Sequence, residues 1–272
     1  MTHRTLGRRF SLAPALYALF IAVPLYWLLI MSLKTNAEIS SSFAPLPLAP
    51  TFENFAVIFD DPAWYLGYVN ALIYVLMNVA ISVTVAVPAA FAFARYRFTG
   101  SGVLFFVLLT FRMMAPAILL VPFVQIFSDL GLIDTHIAVA VAHCFFNVPI
   151  AVWILEGFIA GIPREIDESA RIDGYGLVRY FRRILLPLIA PGIAVTAFFC
   201  FMFSWVEVLL ANGLTVVAAK PINGIMSRAG SVNAADIPLL AAAGVLGLIP
   251  GLVLILFMRR HLARGFSMGR VV

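Results

Sequence analysis

The sequence predicts an all-α integral membrane protein, with six transmembrane helices and one short charged helix between the fourth and the fifth. Three observations carry that prediction. Hydrophobic residues make up 63% of the 272-residue chain and charged residues only 11%, and the mean hydropathy is +1.03. A soluble domain carries about a quarter charged residues, so this chain cannot cover a water-facing surface and lipid must be its solvent. Six apolar stretches follow one another, each near the ~20 residues that cross a hydrocarbon core about 30 Å thick. Between the fourth and the fifth lies a dense polar insert, "EIDESARIDGYGLVRYFRR", at 165–183.

The first span, 12–33, follows His3, Arg4, Arg8 and Arg9. Its apolar run is long for a signal peptide and ends in "LLIMSLKTN" without a small-x-small cleavage site, so it reads as a retained anchor. The second span, 67–94, closes on Arg95 and Arg97. The third, 103–127, holds Arg112 ten residues in, within "LLTFRMMAP". The fourth is 136–158, the fifth 184–211 and the sixth 237–258, the last ending on Arg259 and Arg260. Most spans carry proline: Pro24, Pro88, Pro116, Pro122, Pro149, Pro187, Pro191 and Pro250. Each removes a backbone donor and crowds the preceding turn. Such breaks suit ordinary kinks in a bundle and equally a bundle that flexes between two packings.

Orientation follows from the basic residues. With six spans both termini share one side, and fourteen of the eighteen Lys and Arg fall there: Arg4, Arg8, Arg9, Arg95, Arg97, five Arg at 159–183, and Arg259, Arg260, Arg264 and Arg270. The other side has Lys34, Lys220 and Arg228. Both termini and the insert are therefore expected in the cytoplasm, with the chain in the cell inner membrane. The net charge of +5 is this topology signal and does not point to nucleic acid. Cys144 and Cys200 lie mid-span and read as small apolar fillers, without disulfide or metal role.

Several functions are excluded by what is missing. No GxxxxGK loop followed by Ser or Thr is present, so ATP is not held by a Walker motif. HExxH and GxSxG are absent, and the four His are scattered. In-span polar residues are single and spread out, which disfavours a membrane enzyme.

The insert has the marks of a short helix. Pro163 suits the first helical position. Glu165, Asp167 and Glu168 crowd the first turns, where the helix dipole favours acids. Arg164–Glu168 and Asp167–Arg171 are i,i+4 opposite-charge pairs. Gly174 can take the left-handed cap. Ile166 and Ala170 share one face, and Arg164, Glu168 and Arg171 the opposite one. Beyond it, Leu177, Phe181, Ile184 and Leu185 form an apolar stripe. These residues allow an amphipathic segment lying on the membrane surface, or a rigid helix that docks on a soluble partner.

The stretch "GIPREIDESARIDGYGLVRYFRRILLPLIAP", 161–191, resembles the EAA loop of binding-protein-dependent ABC importer permeases. That pattern runs E-A-A-x-x-D-G, then an apolar helix, then L-P-x-x-x-P. Glu168, Ser169, Ala170, Asp173, Gly174, Pro187 and Pro191 fall on it, with Ser169 in place of the first Ala. "YWLLIMSLKTNAEI", "FAFARYRFTG" and "SWVEVLLA" resemble segments of the maltose-type carbohydrate permeases, the last with Val206 where Asn is usual. The tail "RRHLARGFSMGRVV" is similar to the family's ending but lacks its final Lys-Gly. The six-span count resembles the smaller permease subunit.

The resemblance implies a coupling helix at about 163–174, contacting an ATPase through Arg164, Glu168, Ser169, Ala170, Arg171, Asp173 and Gly174. It implies a second permease in a heterodimer, two ATPase subunits that hold ATP and Mg, and a periplasmic or lipid-anchored solute-binding protein. This chain itself binds no cofactor. An outer loop, with Lys220, Asn223, Arg228 and Asn233, would reach the binding protein. The implied cargo is a carbohydrate or polyol, moved by alternating access. Neutral groups in the spans fit such cargo, among them Asn70, Asn78, Thr110, Gln125, His143, Asn147 and Ser204, as do the rings of Trp153, Trp205 and Phe199. Asn78, Arg112, Gln125, Asn147, Ser204, Trp205 and Glu207 are the expected pathway residues. Arg112 is costly at its depth and needs either snorkelling or a partner such as Glu207. The competing reading is a secondary transporter, for which Arg112, Glu156 and Glu207 would be the ion-coupling candidates.

Overall fold

Apolar runs of this length leave the backbone no partner but itself, and the chain answers with helix. The computed structural model describes residues 12–41, 44–231 and 236–268, and the regular elements among them are all helical. His3, Arg4, Arg8, Arg9, Asn233 and Arg270 lie outside the described residues.

α1 (Leu12–Ser32) coincides with the first expected span, and α2 (Asn36–Ser41) and α3 (Glu53–Asp60) follow it. α4 (Pro62–Arg95) starts earlier than expected. Pro62 sets the first turn and holds Asp61 extended, at φ −92 and ψ 112. The expected third span is broken into α5 (Ser101–Met113) and α6 (Pro116–Asp129), bent by 94°. Pro116 excludes the residue before it from the helical region, and Ala115 accordingly sits at φ −69, ψ 130. α7 (His136–Ala160) begins at Thr135, whose hydroxyl accepts the Ala138 N–H at 3.3 Å.

α8 (Arg164–Ile172) is the insert helix. The fifth span differs most from expectation. α9 (Leu177–Tyr180), a π-helical turn Phe181–Leu185 and α10 (Leu186–Leu188) lead to α11 (Ala190–Val206), with a 77° bend between the two halves. Pro187 lacks the N–H that would bond the Arg183 carbonyl, and its ring crowds that turn, so the backbone widens ahead of it. The helix then stops at Val206, short of 211, and restarts as α12 (Leu209–Leu214). α13 (Ile222–Ser231) and α14 (Ile237–Met268) complete the described chain. Among the described residues four helices are long and apolar enough to cross a bilayer, and up to six spans result if each bent pair counts as one.

The chain forms two compact units. One takes the residues up to Pro62 with Met226–Leu248. Within it Lys34 is 1% exposed; its amine donates to the Ala44 carbonyl at 2.6 Å and pairs with Glu38 at 3.7 Å. Asn54 donates to the carbonyls of Ser32 and Lys34, both at 2.9 Å. Lys34, a topology charge in the sequence, thus also pins the segment after α1.

The other unit takes Ala63–Ile225 and the chain from Ile249. Its core joins Ala86, Val87, Ala90 and Phe91 of α4 to Ala151, Val152, Leu155 and Ile159 of α7, closed by Ala170, Tyr180, Leu185, Ile189 and Cys200. The small residues let the helix backbones approach closely, which is how helices associate where lipid is as apolar as leucine. α7 packs against α5, α11 and α12. It is the helix on which the polar groups of the membrane interior converge.

Candidate functional site

Three groupings of polar residues stand out in the larger unit. The first is α8. Pro163 is the residue before the helix (φ −55, ψ 137) and not its first member, so the helix starts one residue later than expected. Its C-terminus closes as expected: Gly174 has φ +75, its N–H donates to Arg171 O at 3.1 Å, and Tyr175 N–H donates to Ala170 O at 3.0 Å. That is a Schellman cap. Ala170 is buried, while Arg164, Glu168, Ser169, Arg171, Asp173 and Gly174 are exposed on the outer side together with Ile172. Asp167 does not spend its charge on Arg171. Its Oδ2 lies 2.6 Å from Nε of Arg95, the last residue of α4, and its Oδ1 accepts from the Tyr180 hydroxyl. Arg95 also donates to the Ile162 carbonyl at 3.0 Å. Sequence reading counted Arg95 only as a topology charge.

The second grouping lies inside the membrane span. Asn147 of α7 donates to Asn78 Oδ1 at 2.6 Å and to the Cys200 carbonyl at 3.1 Å. Asn78 donates to the Ala140 carbonyl at 3.1 Å and to Cys144 Sγ at 3.2 Å. One turn away His143 is 2% exposed, with Nε2 donating to Glu207 Oε2 at 3.0 Å and Nδ1 2.6 Å from Ser204 Oγ. With Nε2–H on the carboxylate, Nδ1 is the ring nitrogen that faces the Ser204 hydroxyl.

Glu207 occupies the gap between α11 and α12. Its carboxylate accepts from the N–H groups of Leu209 (2.8 Å), Leu210 (3.0 Å) and Ala211 (3.1 Å), the orphan donors of the restarted helix. The Arg112 guanidinium stands 3.9 Å from the centre of the Phe203 ring. Arg112, His143, Asn147, Phe203, Ser204 and Glu207 line a common cavity of about 290 Å³.

Of the expected pathway residues, Asn78, Arg112, Asn147, Ser204 and Glu207 are brought to this cavity or its wall. Glu207 meets His143 rather than Arg112. Gln125 is exposed on α6 and stays outside the group. Trp205 is buried in a stack on Phe201, with ring centres 5.9 Å apart, and Trp153 is 54% exposed. His143 is the residue that sequence reading undervalued. Its spacing from Asn147, one helical turn, was the available signal. Cys144 and Cys200 are free and buried, and Cys144 accepts hydrogen bonds from Asn78 and Ser82, so it is more than an apolar filler. Among the described residues no cluster of His, Cys, Asp and Glu is fit to hold a metal.

The third grouping fixes the turns outside the spans. Asp134, at φ +63, accepts from the backbone N–H groups of Val216, Val217, Ala218 and Ala219 at 2.8–3.1 Å. Desolvation raises its pKa, but the four N–H donors outweigh that and draw it down to about 2. Asn70 bonds the carbonyls of Ala218 and Lys220 and meets His136 Nε2 at 2.9 Å. Lys220 is buried, with its amine on the carbonyls of Asn212 (3.3 Å) and Thr215 (3.2 Å). Asn223 donates to the Trp205 carbonyl at 3.1 Å. Lys220 and Asn223 thus pin the segment that leads into α13 and its first turn, and Arg228, further along α13, is exposed.

Comparison with known proteins follows this geometry. Residues 82–268 match the family model described as the binding-protein-dependent transport system inner membrane component. The chain is 30% identical over 256 residues to the trehalose transport system permease protein SugB of Mycobacterium tuberculosis, covering 93% of each. It is 29% identical over 228 residues to the maltodextrin transport system permease protein MdxG of Bacillus subtilis, covering 80% of each. A crystal structure of a bacterial ABC transporter involved in the import of the acidic polysaccharide alginate has a chain of the same fold, with TM-score 0.78 at 20% identity, over 92% of this chain and 93% of that one. The EAA-like insert, the interrupted spans and a match over most of the chain agree: this protein belongs to the binding-protein-dependent transport system inner membrane components.

Proposed function

We infer that the chain is the permease subunit of an ATP-driven importer that takes a carbohydrate or polyol from a solute-binding protein into the cytoplasm. The observation that carries the mechanism is α8: short, capped at Gly174, anchored on its inner face, and charged on its outer face. In this reading α8 is the coupling helix. Arg164, Glu168, Ser169, Ala170, Arg171, Asp173 and Gly174 shape the surface that enters a groove on the ATPase, Ala170 from its buried side. Both termini are cytoplasmic, the two bent pairs count as spans, and a second, different permease completes the pathway. Two ATPase subunits hold ATP and Mg. When ATP closes them the coupling helices move and the cavity opens outward, where Arg228 and Asn233 of the outer loop meet the binding protein. The corresponding role for Lys220 and Asn223 is to hold that loop in place.

The cargo class rests on two supports. The relatives described above are named for the transport of trehalose and of maltodextrin. The cavity offers the Asn147 amide and the Ser204 hydroxyl beside one cation, and its one carboxylate is already committed to His143 and to α12. Such a lining suits a neutral polyhydroxylated solute. A secondary transporter is not favoured, since the family works with a binding protein. The test loads the purified binding protein with candidate solutes and measures ATPase stimulation in the reconstituted complex. Stimulation by a sugar or polyol is expected. Stimulation by an amino acid, peptide or inorganic anion alone overturns the cargo class.

A further inference from the structure

A docking helix transmits force only if it cannot pivot. α8 is nine residues long and is joined to its neighbours through Gly161 on one side and through Gly174 and Gly176 on the other. Glycines leave the backbone free to turn, so the chain connections alone would let α8 rock under load. Ala170 seats its inner face in the core, and a lateral bolt adds a polar restraint to that packing. The Arg95 guanidinium holds Asp167 at 2.6 Å and the Ile162 carbonyl at 3.0 Å, so it grips both the helix and its lead-in. Tyr180 takes the other oxygen of Asp167 from the side of α9. Arg95 is 6% exposed and Asp167 13%, so water screens the pair poorly and neither charge has a replacement partner in solvent.

Arg95 is also the last residue of α4, a single unbroken helix of 34 residues. Seventeen residues back, about 25 Å along the axis at 1.5 Å per residue, the same helix presents Asn78 to Asn147 and so to the wall of the cavity. One continuous helix, with Pro88 inside it, therefore joins the docking helix to the polar group in the membrane.

We propose that Arg95, through Asp167, is the positioning residue that passes movement of the docking helix into α4, and that α4 is the lever which carries it to the Asn78–Asn147 contact. The proposal rests on the docking role given to α8 above. It differs from a purely structural ion pair in what it affects: the yield of transport per ATP, rather than assembly or hydrolysis.

The experiment uses the complete complex in proteoliposomes with solute-loaded binding protein, and reads uptake per ATP hydrolysed. Arg95→Gln and Asp167→Asn are expected to keep the ATPase subunits bound and hydrolysing while uptake per ATP falls about tenfold, within the usual range of coupling between sites. The exchange Arg95→Asp with Asp167→Arg is expected to recover most of it. If the single variants fail to accumulate, Arg95→Cys with Asp167→Cys decides. Joining the two thiols with a short bifunctional reagent is expected to restore uptake per ATP, and leaving them unjoined is not. Unchanged uptake per ATP in the single variants overturns the proposal, as does an exchange or cross-link that restores nothing. Loss of ATPase binding in Arg95→Gln also overturns it, since the residue would then shape the dock rather than transmit from it. The docking role fails separately, if Glu168→Lys with Gly174→Val still binds and drives the ATPase normally.

Discussion

Glu207 and His143 face each other across the break in the fifth span, the carboxylate accepting from Nε2 at 3.0 Å while it caps the restarted helix through Leu209, Leu210 and Ala211. One side chain thus satisfies both the interrupted backbone and the buried imidazole. Glu207→Gln keeps the size and loses the charge. It is expected to weaken the start of α12 by about 1 kcal/mol, read as faster amide exchange at Leu209–Leu214 and reduced uptake. Unchanged exchange there would show that the cap is redundant.

Asp134 predicts an acid limit for the outer turn. Its folded pKa is about 2, below the ~3.9 of a free aspartate. The stabilisation is therefore fully present above about pH 4 and is lost as pH falls towards 2. Asp134→Asn tolerates the left-handed backbone and removes the titration. Proteolysis of the 214–220 segment should rise on acidification in the parent and lose that pH dependence in the variant. A parent whose cleavage is the same at pH 3 and pH 6 contradicts this.

Gly174 and Glu168 separate shape from charge at the dock. A Cβ at Gly174 would meet nothing within 4 Å, so any penalty is in the backbone, at φ +75. Gly174→Asn should be nearly neutral and Gly174→Val should cost about 1–2 kcal/mol. Co-purification of the ATPase is expected to survive the first and drop with the second. Glu168→Lys should lower it without moving the thermal midpoint of the permease.

Arg112 is held by Phe203 and borders the cavity. Cation–π contacts of this kind are worth about 1–2 kcal/mol when desolvated, so Phe203→Leu should shift transport KM several-fold and Arg112→Met more. Arg112→Met with both assembly and uptake intact assigns the residue to snorkelling.

Lys220 and Arg228 divide the segment after α12 between a buried anchor and an exposed side chain. Lys220→Met strips the donor from two carbonyls and should destabilise the permease by about 1–3 kcal/mol. Arg228→Ala should cost less stability than Lys220→Met and reduce stimulation by the loaded binding protein. The reverse pattern would exchange their roles.

The class of the protein, the rough positions of most of its apolar helices, and the short charged helix α8 with its Gly174 cap were legible in the sequence, because each depends on interactions within a few residues. A run of about 20 apolar side chains reports its solvent directly, and a Schellman cap closes within six residues of chain. Proline positions marked the breaks but not their size. Pro116 and Pro191 sit in the first turns after the 94° and 77° bends, whereas Pro88 and Pro149 sit inside continuous helices, and only packing against neighbours separates these outcomes. The partners of polar residues were settled only in three dimensions. Asp167 had Arg171 one turn away and took Arg95 from α4 instead; Glu207 took His143 rather than Arg112; Lys220, expected in a loop that reaches the binding protein, closed over two carbonyls. A polar group packed away from water has no solvent partner to fall back on, so it binds whichever donor or acceptor the helix packing brings within reach. That choice is a property of the packed bundle and cannot be read from spacing along the chain.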